Sequence, residues 1–185
     1  MPYESKGFQK AFYSMANRVS GSLAKTIQNG KTILITDNSP CAFTLKKYIN
    51  QINGKNIAVL DPIELLEKII LPNTQIKHKI ESLFLHAPCS LERQEMTPKA
   101  LSVGKQLAKK VYTAPDPACC GFAGDLGFYV PELTESASNS IRRAMNINDS
   151  TKNYCSTSLT CEMGLSRTTG EVFQSLLSIA DECLK

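Results

Sequence analysis

The sequence predicts an α/β fold: a mainly parallel sheet with helices on both faces and a cysteine site at the carboxyl ends of the strands. Three observations carry this. Short β-branched runs alternate with stretches of 3.6-residue apolar period, the pattern of βαβ units. The strand runs are nearly continuous in apolar residues, as expected where both faces are covered. Cys41, Cys89, the Cys119-Cys120 pair and Cys161 each follow a predicted strand, and sites in such sheets form outside the carboxyl ends of the strands. A length of 185 residues suits one domain with a full core.

The elements follow in order. Phe8, Phe12, Met15, Val19, Leu23 and Ile27 are spaced by three and four, so a helix is expected over 8–28, stopped by Asn29-Gly30. Thr32 to Thr36 is a short buried strand. Ser39 is placed to cap the next helix with Pro40 at its first position, running to about Ile52. Cys41 then lies in the first turn, where the helix end favours a thiolate. Asn56 to Leu60 is the second strand, and Asp61-Pro62-Ile63-Glu64 opens a helix that ends near Ile70, before Pro72. Ser82 to His86 is the third strand, leading into Pro88-Cys89. Thr97-Pro98 starts a helix carrying Ala100, Leu101, Val103 and Leu107, and Val111 to Thr113 is the fourth strand, which delivers the Cys119-Cys120 loop. Pro131 begins a helix to about Asn146. Asn153 to Ser156 is a weaker fifth strand, followed by a loop holding Cys161, and a last helix spans Glu171 to Leu184.

Composition bounds the function. Hydrophobic residues at 42% and charged residues at 21% are those of a soluble globular chain. The net charge of +4 is spread along the sequence, which argues against a nucleic-acid partner. No apolar run approaches the roughly 20 residues that span a bilayer, and no signal-peptide pattern opens the chain. A cytoplasmic protein is expected. Seven cysteines, an odd count, then favour metal or redox use over a disulfide framework.

Adjacent cysteines are strained as a mutual disulfide, but a sharp turn at Gly121 and Gly124 lets both reach one polynuclear metal site. Four thiolates suit structural zinc or a [4Fe–4S] cluster. Zinc sites offer cysteines in close pairs on knuckle turns, and the nearest substitute here, Cys155 and Cys161, is too widely spaced. Single, separated cysteines plus one adjacent pair suit a cuboidal cluster. The expected metal and cofactor ligands are Cys89, Cys119, Cys120 and Cys161. Cys155 and Cys183 are read as core residues and His78 as solvated. His86 is read either as a satisfied core histidine or as a group tuning the site by hydrogen bonding. Asp125 is placed to anchor the turn through its backbone. No Ser/His/Asp spacing or phosphate loop is present, so no catalytic residue is assigned.

These residues together resemble a known family. A cysteine after a strand, then Cys-Cys-Gly, then a cysteine about 40 residues on is similar to the cysteine-rich CCG domain of heterodisulfide reductase and of the glycolate oxidase iron–sulfur subunit. Cys119 to Phe128, Pro131 to Thr134, and Ser156 to Ser166 resemble more narrowly the C-terminal end of FAD-linked D-lactate dehydrogenases. Asp37 to Cys41 and His86 to Ser90 do so as well. The resemblance implies a single cysteine-rich domain over 1–185, a fragment in which 1–75 is the tail of a first CCG repeat and 76–185 a complete second one. Cys41 would belong to a truncated first site, and Ser158 stands where the family often has another cysteine.

The implied function is electron transfer: FAD, in a flavin domain of the same polypeptide, oxidises a 2-hydroxy acid, and a [4Fe–4S] cluster passes electrons towards a quinone or cytochrome acceptor. The fragment alone is expected to be inactive. The full enzyme would work in the cytoplasm or at the inner face of the membrane, in peripheral association and without a transmembrane segment. The alternatives are a zinc-stabilised or thiol-redox interaction module, zinc then substituting for the cluster, and a CCG subunit of a glycolate oxidase or heterodisulfide reductase complex.

Overall fold

The computed structural model describes residues 2–27, 32–53, 57–114, 118–147 and 151–185. The helix stop expected at Asn29-Gly30 and the start of the second strand at Asn56 lie outside them. The elements run α1 (Pro2–Ser5), α2 (Gln9–Thr26), β1 (Leu34–Ile35), α3 (Ser39–Asn53), β2 (Val59–Leu60) and α4 (Pro62–Leu65). A π-helical turn (Leu66–Ile70), α5 (Leu71–Asn73), β3 (Ile80–His86), α6 (Cys89–Glu92), α7 (Thr97–Leu107) and β4 (Ala108–Tyr112) come next. A 3₁₀ turn (Leu126–Phe128), α8 (Pro131–Ala137), α9 (Asn139–Ile147), β5 (Tyr154–Ser156), α10 (Leu159–Thr169), β6 (Phe173–Ser175) and α11 (Leu176–Leu184) complete the described chain.

Among the described residues all strand pairs are parallel, in two sheets: β1-β2, and a four-stranded sheet in the order β4-β3-β5-β6. The fold is therefore α/β with parallel strands, as the alternation predicts. The centre of the larger sheet is β3, whose Leu83, Phe84 and Leu85 are completely buried. Side chains of a strand alternate between faces. Leu83 and Leu85 accordingly join a core with Ala100, Val103 and Leu107 of α7 and Leu176 and Ile179 of α11. Phe84 joins the core on the other face, with Ile141 of α9, Leu165 of α10 and Phe173. Each Leu, Ile, Val or Phe among them contributes about 1.5–3 kcal/mol by leaving water. A continuous apolar run is thus what a doubly covered strand requires.

The smaller sheet is covered less completely. Leu34 packs with Ala42, Ile57 and Val59, and with Leu23 and Ile27 of the α2 end. Ile33 and Ile35, on the other side of the strand, are exposed. The stripe expected to bury α2 is only partly right. Phe12 and Ser20 are buried, while Phe8 is 60% exposed and Met15 and Val19 are exposed beside it. A 3.6-residue period puts Phe12, Ser20, Leu23 and Ile27 on one flank and Phe8, Met15 and Val19 on the next.

Five boundaries differ from expectation, each for a local reason. The helix after Asp61 passes Pro72 and ends at Asn73, because the π turn shifts hydrogen bonding, with Leu71 N–H donating to Leu66 O. Strand β4 begins at Ala108, directly after α7; exposed Lys109 and Lys110 are tolerated on an edge strand. The helix from Pro131 breaks into two at Ser138, whose hydroxyl donates to Glu135 O. The segment around Cys161 is a helix, not a loop, bounded by Ser158 and by Gly170 at φ 80°. The last helix starts five residues late: Phe173–Ser175 pairs with β5, and Ser175 then caps α11 by accepting from Leu177 N–H. Among the described residues no helix is long and apolar enough to cross a membrane.

Candidate functional site

Parallel strands deliver their carboxyl ends to one edge of the sheet, and there the cysteines meet. Strand β3 ends at His86, and Ala87-Pro88 turns the chain so that α6 begins at Cys89. Strand β5 ends at Ser156, and Thr157-Ser158 leads into α10 with Cys161 in its first turn. Beyond β4, the Cys119-Cys120 loop reverses sharply, with Gly121 at φ 70°, Ala123 at φ 47° and Gly124 at φ 78°. Gly121 is required here: a Cβ would strike Leu133 O and lie 2.6 Å from Ala137 Cβ of α8. Phe122 wedges the loop in place, fully buried against Gly127 and Gly164, where any Cβ would lie within 3 Å of its ring.

The reversal sends the two adjacent thiols to different neighbours. Cys120 is buried and its Sγ lies 2.8 Å from Cys161 Sγ, also buried. Cys119 is exposed, as is Cys89. Cys119 Sγ accepts from Gly121 N–H at 3.3 Å, and it interacts with the Cys120 and Cys89 thiols. All four expected ligands are therefore brought together. The Cys120 thiol first, then that of Cys89 and the Gly121 N–H, hold the Cys119 thiol far below its ordinary range. Cys120 is pushed far up by its bond to Cys119, then by Cys161 and by burial, and Cys89 by its bond to Cys119 and then by burial. A second ionisation would set two anions in contact.

His86 ties the site together. Its Nε2 lies 2.9 Å from Ala118 O, which can only accept, so Nε2 carries the proton. Nδ1 then accepts from Ser156 Oγ at 3.0 Å. Burial holds this imidazole below its usual pKa, against the pull of the Ala118 carbonyl and of Cys119. The core reading of His86 describes its bonding, and its place against Ala118 fixes where the Cys119 loop begins. Glu162 was not singled out by any sequence pattern. Its carboxyl, one residue past Cys161, is pushed up to about 7 by burial and then by Asp37.

The remaining cysteines stand apart. Cys155 and Cys183 are completely buried in the core, burial pushes both thiols up, and Cys183 Sγ donates to Leu107 O. Cys41 is exposed in the first turn of α3. The expected thiolate stabilisation at that helix end is not what dominates: desolvation, and then the nearby Asp37 carboxylate, push the thiol up. Asp125 takes Lys6 as its main partner, at 2.7 Å, and also bonds the loop backbone at its own N–H.

Exposed apolar side chains lie next to the cysteines in the chain. Leu126, Phe128, Tyr129 and Leu133 follow the Cys119-Cys120 loop, and Leu159 and Met163 flank Cys161 on α10; all are exposed, Tyr129 by 78%. Among the described residues no group of three or more His, Cys, Asp or Glu side chains stands arranged around a metal-sized space. The Cys120 and Cys161 sulfurs touch instead. Comparison with protein-family models, curated proteins and solved structures finds no match to this chain.

Proposed function

We propose that this chain is the iron–sulfur, electron-transferring domain of a flavin-dependent 2-hydroxy acid dehydrogenase of the D-lactate type. In this reading Cys89, Cys119, Cys120 and Cys161 hold a [4Fe–4S] cluster. The observation that supports it most is the meeting of four thiols from three strand ends at one edge of the sheet, with Cys120 and Cys161 in contact. The donor set fits: four soft sulfur ligands and no carboxylate among them, which is the chemistry of zinc or iron–sulfur sites and not of hard cations. The sulfurs have to part for a cluster to enter. The loop can allow this, because Gly124 has open space around it.

The cluster supplies one-electron storage, whereas oxidation of a 2-hydroxy acid at a flavin releases two electrons. The chain's own residues set the conditions. Gly121 N–H hydrogen-bonds the Cys119 sulfur, and such bonds together with burial tune a cluster's potential. Phe122, Phe84, Ile141, Leu165 and Phe173 form an apolar backing that keeps water from the Cys120 and Cys161 side. The exposed apolar rim gives a flavin domain or an electron acceptor a surface to approach. The acceptor in this reading is a quinone or a cytochrome.

Anaerobic reconstitution with iron and sulfide tests the proposal. About four irons per chain and a brown protein are expected for one [4Fe–4S] cluster, with much less uptake by Cys120→Ser. Equal uptake by both forms removes Cys120 from the ligand set. A colourless protein carrying about one zinc would instead support the zinc-stabilised module.

A further inference from the structure

Two of the four thiols, Cys120 and Cys161, are already in contact, and two lie deep while two lie open. Cys120 Sγ and Cys161 Sγ are 2.8 Å apart and nearly fully buried. Cys89 and Cys119 are exposed, and their side chains interact with each other. Four cysteines can pair in three ways. Joining the neighbours Cys119 and Cys120 is strained, which removes the pairing that would leave Cys89 with Cys161. Of the other two, only Cys120–Cys161 with Cys89–Cys119 uses the 2.8 Å sulfur contact, and it leaves the two exposed thiols, Cys89 and Cys119, as the second pair. Closing the first bond needs a movement of less than about 1 Å, from contact to the S–S length of about 2.05 Å. Cys161 is fixed on α10, while Cys120 sits on a loop with three positive-φ positions within four residues, at Gly121, Ala123 and Gly124.

We infer that the metal-free chain is a four-thiol redox site that closes into two disulfides, Cys120–Cys161 and Cys89–Cys119, and that only its reduced form admits iron. The last clause rests on the function proposed above; the disulfide pairing does not. The oxidant is a hydroperoxide, one molecule for each pair. A thiol sulfur attacks the peroxide: an S–O bond forms, the O–O bond breaks, and the thiol proton goes to the leaving oxygen, which departs as an alcohol, or as water from hydrogen peroxide. The partner sulfur then attacks the sulfenic acid: the S–S bond forms, the S–O bond breaks and water leaves. Each pair so gives up two electrons, and a small dithiol returns them with two protons. The disulfides occupy the sulfur electrons that a cluster would need, which is why oxidation and iron uptake exclude each other.

The test treats iron-free chain with hydrogen peroxide at two molecules per chain, followed by alkylation in denaturant and peptide mapping by mass spectrometry. Four of the seven cysteines of the chain are expected to escape alkylation, leaving Cys41, Cys155 and Cys183 labelled. Cys119→Ser should retain the Cys120–Cys161 link and leave Cys89 alkylated. Cys120→Ser should retain the Cys89–Cys119 link and leave Cys161 alkylated. A Cys89–Cys120 link in the first variant, a Cys119–Cys161 link in the second, or full alkylation of the treated wild type would overturn the pairing. Iron uptake by the oxidised wild type should be at least about tenfold lower than after dithiothreitol, and equal uptake would overturn the exclusion. Disulfides as described, with no iron taken up by the reduced chain, would overturn the cluster reading alone. Iron uptake without any disulfide would overturn this inference alone.

Discussion

At the scale of single residues, the site depends on a few positions where no other side chain fits. Gly121 combines a φ of 70° with close approach to Leu133 O and Ala137 Cβ of α8. Gly124 has a similar φ, 78°, but open space around it. The two positions separate steric clash from backbone strain. Gly124→Ala should cost only the left-handed penalty of about 1–2 kcal/mol. Gly121→Ala should cost about 2–4 kcal/mol, since α8 or the loop must also shift, and should lower iron uptake more than Gly124→Ala does. Urea unfolding of both variants checks the order of the two costs. Equal midpoints would mean that α8 yields to the added methyl. The same scale explains how adjacent cysteines serve one site: the positive-φ turn points Cys120 inward and Cys119 outward, which an extended backbone could not do with both sulfurs near one centre.

At the scale of elements, helix starts carry both the thiols and the clearest pH dependence. Asp61 accepts from Glu64 N–H at 2.9 Å, and Glu64 Oε2 reaches back to the Asp61 N–H at 3.3 Å, a complete capping box. Burial alone would raise the Glu64 pKa, but hydrogen bonds from Lys46 and Lys68 outweigh it and leave it lowered. A lowered acid stabilises the fold above its unfolded pKa of about 4.3, and this contribution fades as pH falls towards the folded value. Asp61 acts in the opposite sense. Burial raises it, so its contribution is present at low pH and is lost as pH rises through the folded value. Glu64→Gln removes the first effect and leaves the second. Its urea midpoint should therefore fall less steeply than that of the wild type between about pH 5 and pH 3. Parallel curves would show that the two lysines do not act through this carboxylate.

At the scale of the whole molecule, two parallel sheets are joined through their strand-end loops. Ser39 N–H donates to Thr157 O and Ser39 Oγ donates to Thr157 Oγ1, both at 2.9 Å, with both residues buried. The loop after β1 is thereby held against the loop that leads to Cys161. Ser39→Ala leaves a buried Thr157 hydroxyl without this partner, at about 1–3 kcal/mol. Native-state hydrogen exchange should then speed up at Leu34 and Ala42 and stay slow at Leu83 and Leu165. Uniform acceleration would mean that the two sheets open as one cooperative unit.

Much of this architecture was legible from local pattern. The alternation of apolar strands and amphipathic helices specifies a parallel α/β fold, because a strand without polar alternation has to be covered twice. It also specifies that cysteines placed after strands share an edge, since parallel strands all end on the same side. Single residues carried some boundaries as well: Pro131 and the Asp61 capping box begin helices where expected, whereas α3 starts one residue before Pro40, at Ser39, whose hydroxyl bonds Thr157 instead of capping. Long-range pairing was not legible. Val172, Phe173, Leu176 and Leu177 fit a helical stripe, and only the edge of β5 makes Phe173–Ser175 a strand. The apolar positions of α2 suit a buried helix, but the smaller sheet offers cover to one flank only, so Phe8, Met15 and Val19 stay exposed. Spacing named the four thiols without saying which touch. That Cys120 meets Cys161 depends on a turn, on Phe122 and on the first turn of α10, three segments that become neighbours only when the chain is folded. Sequence fixes what each segment prefers alone, whereas the partner that a sulfur or a strand edge meets is set by contacts between segments far apart in the chain.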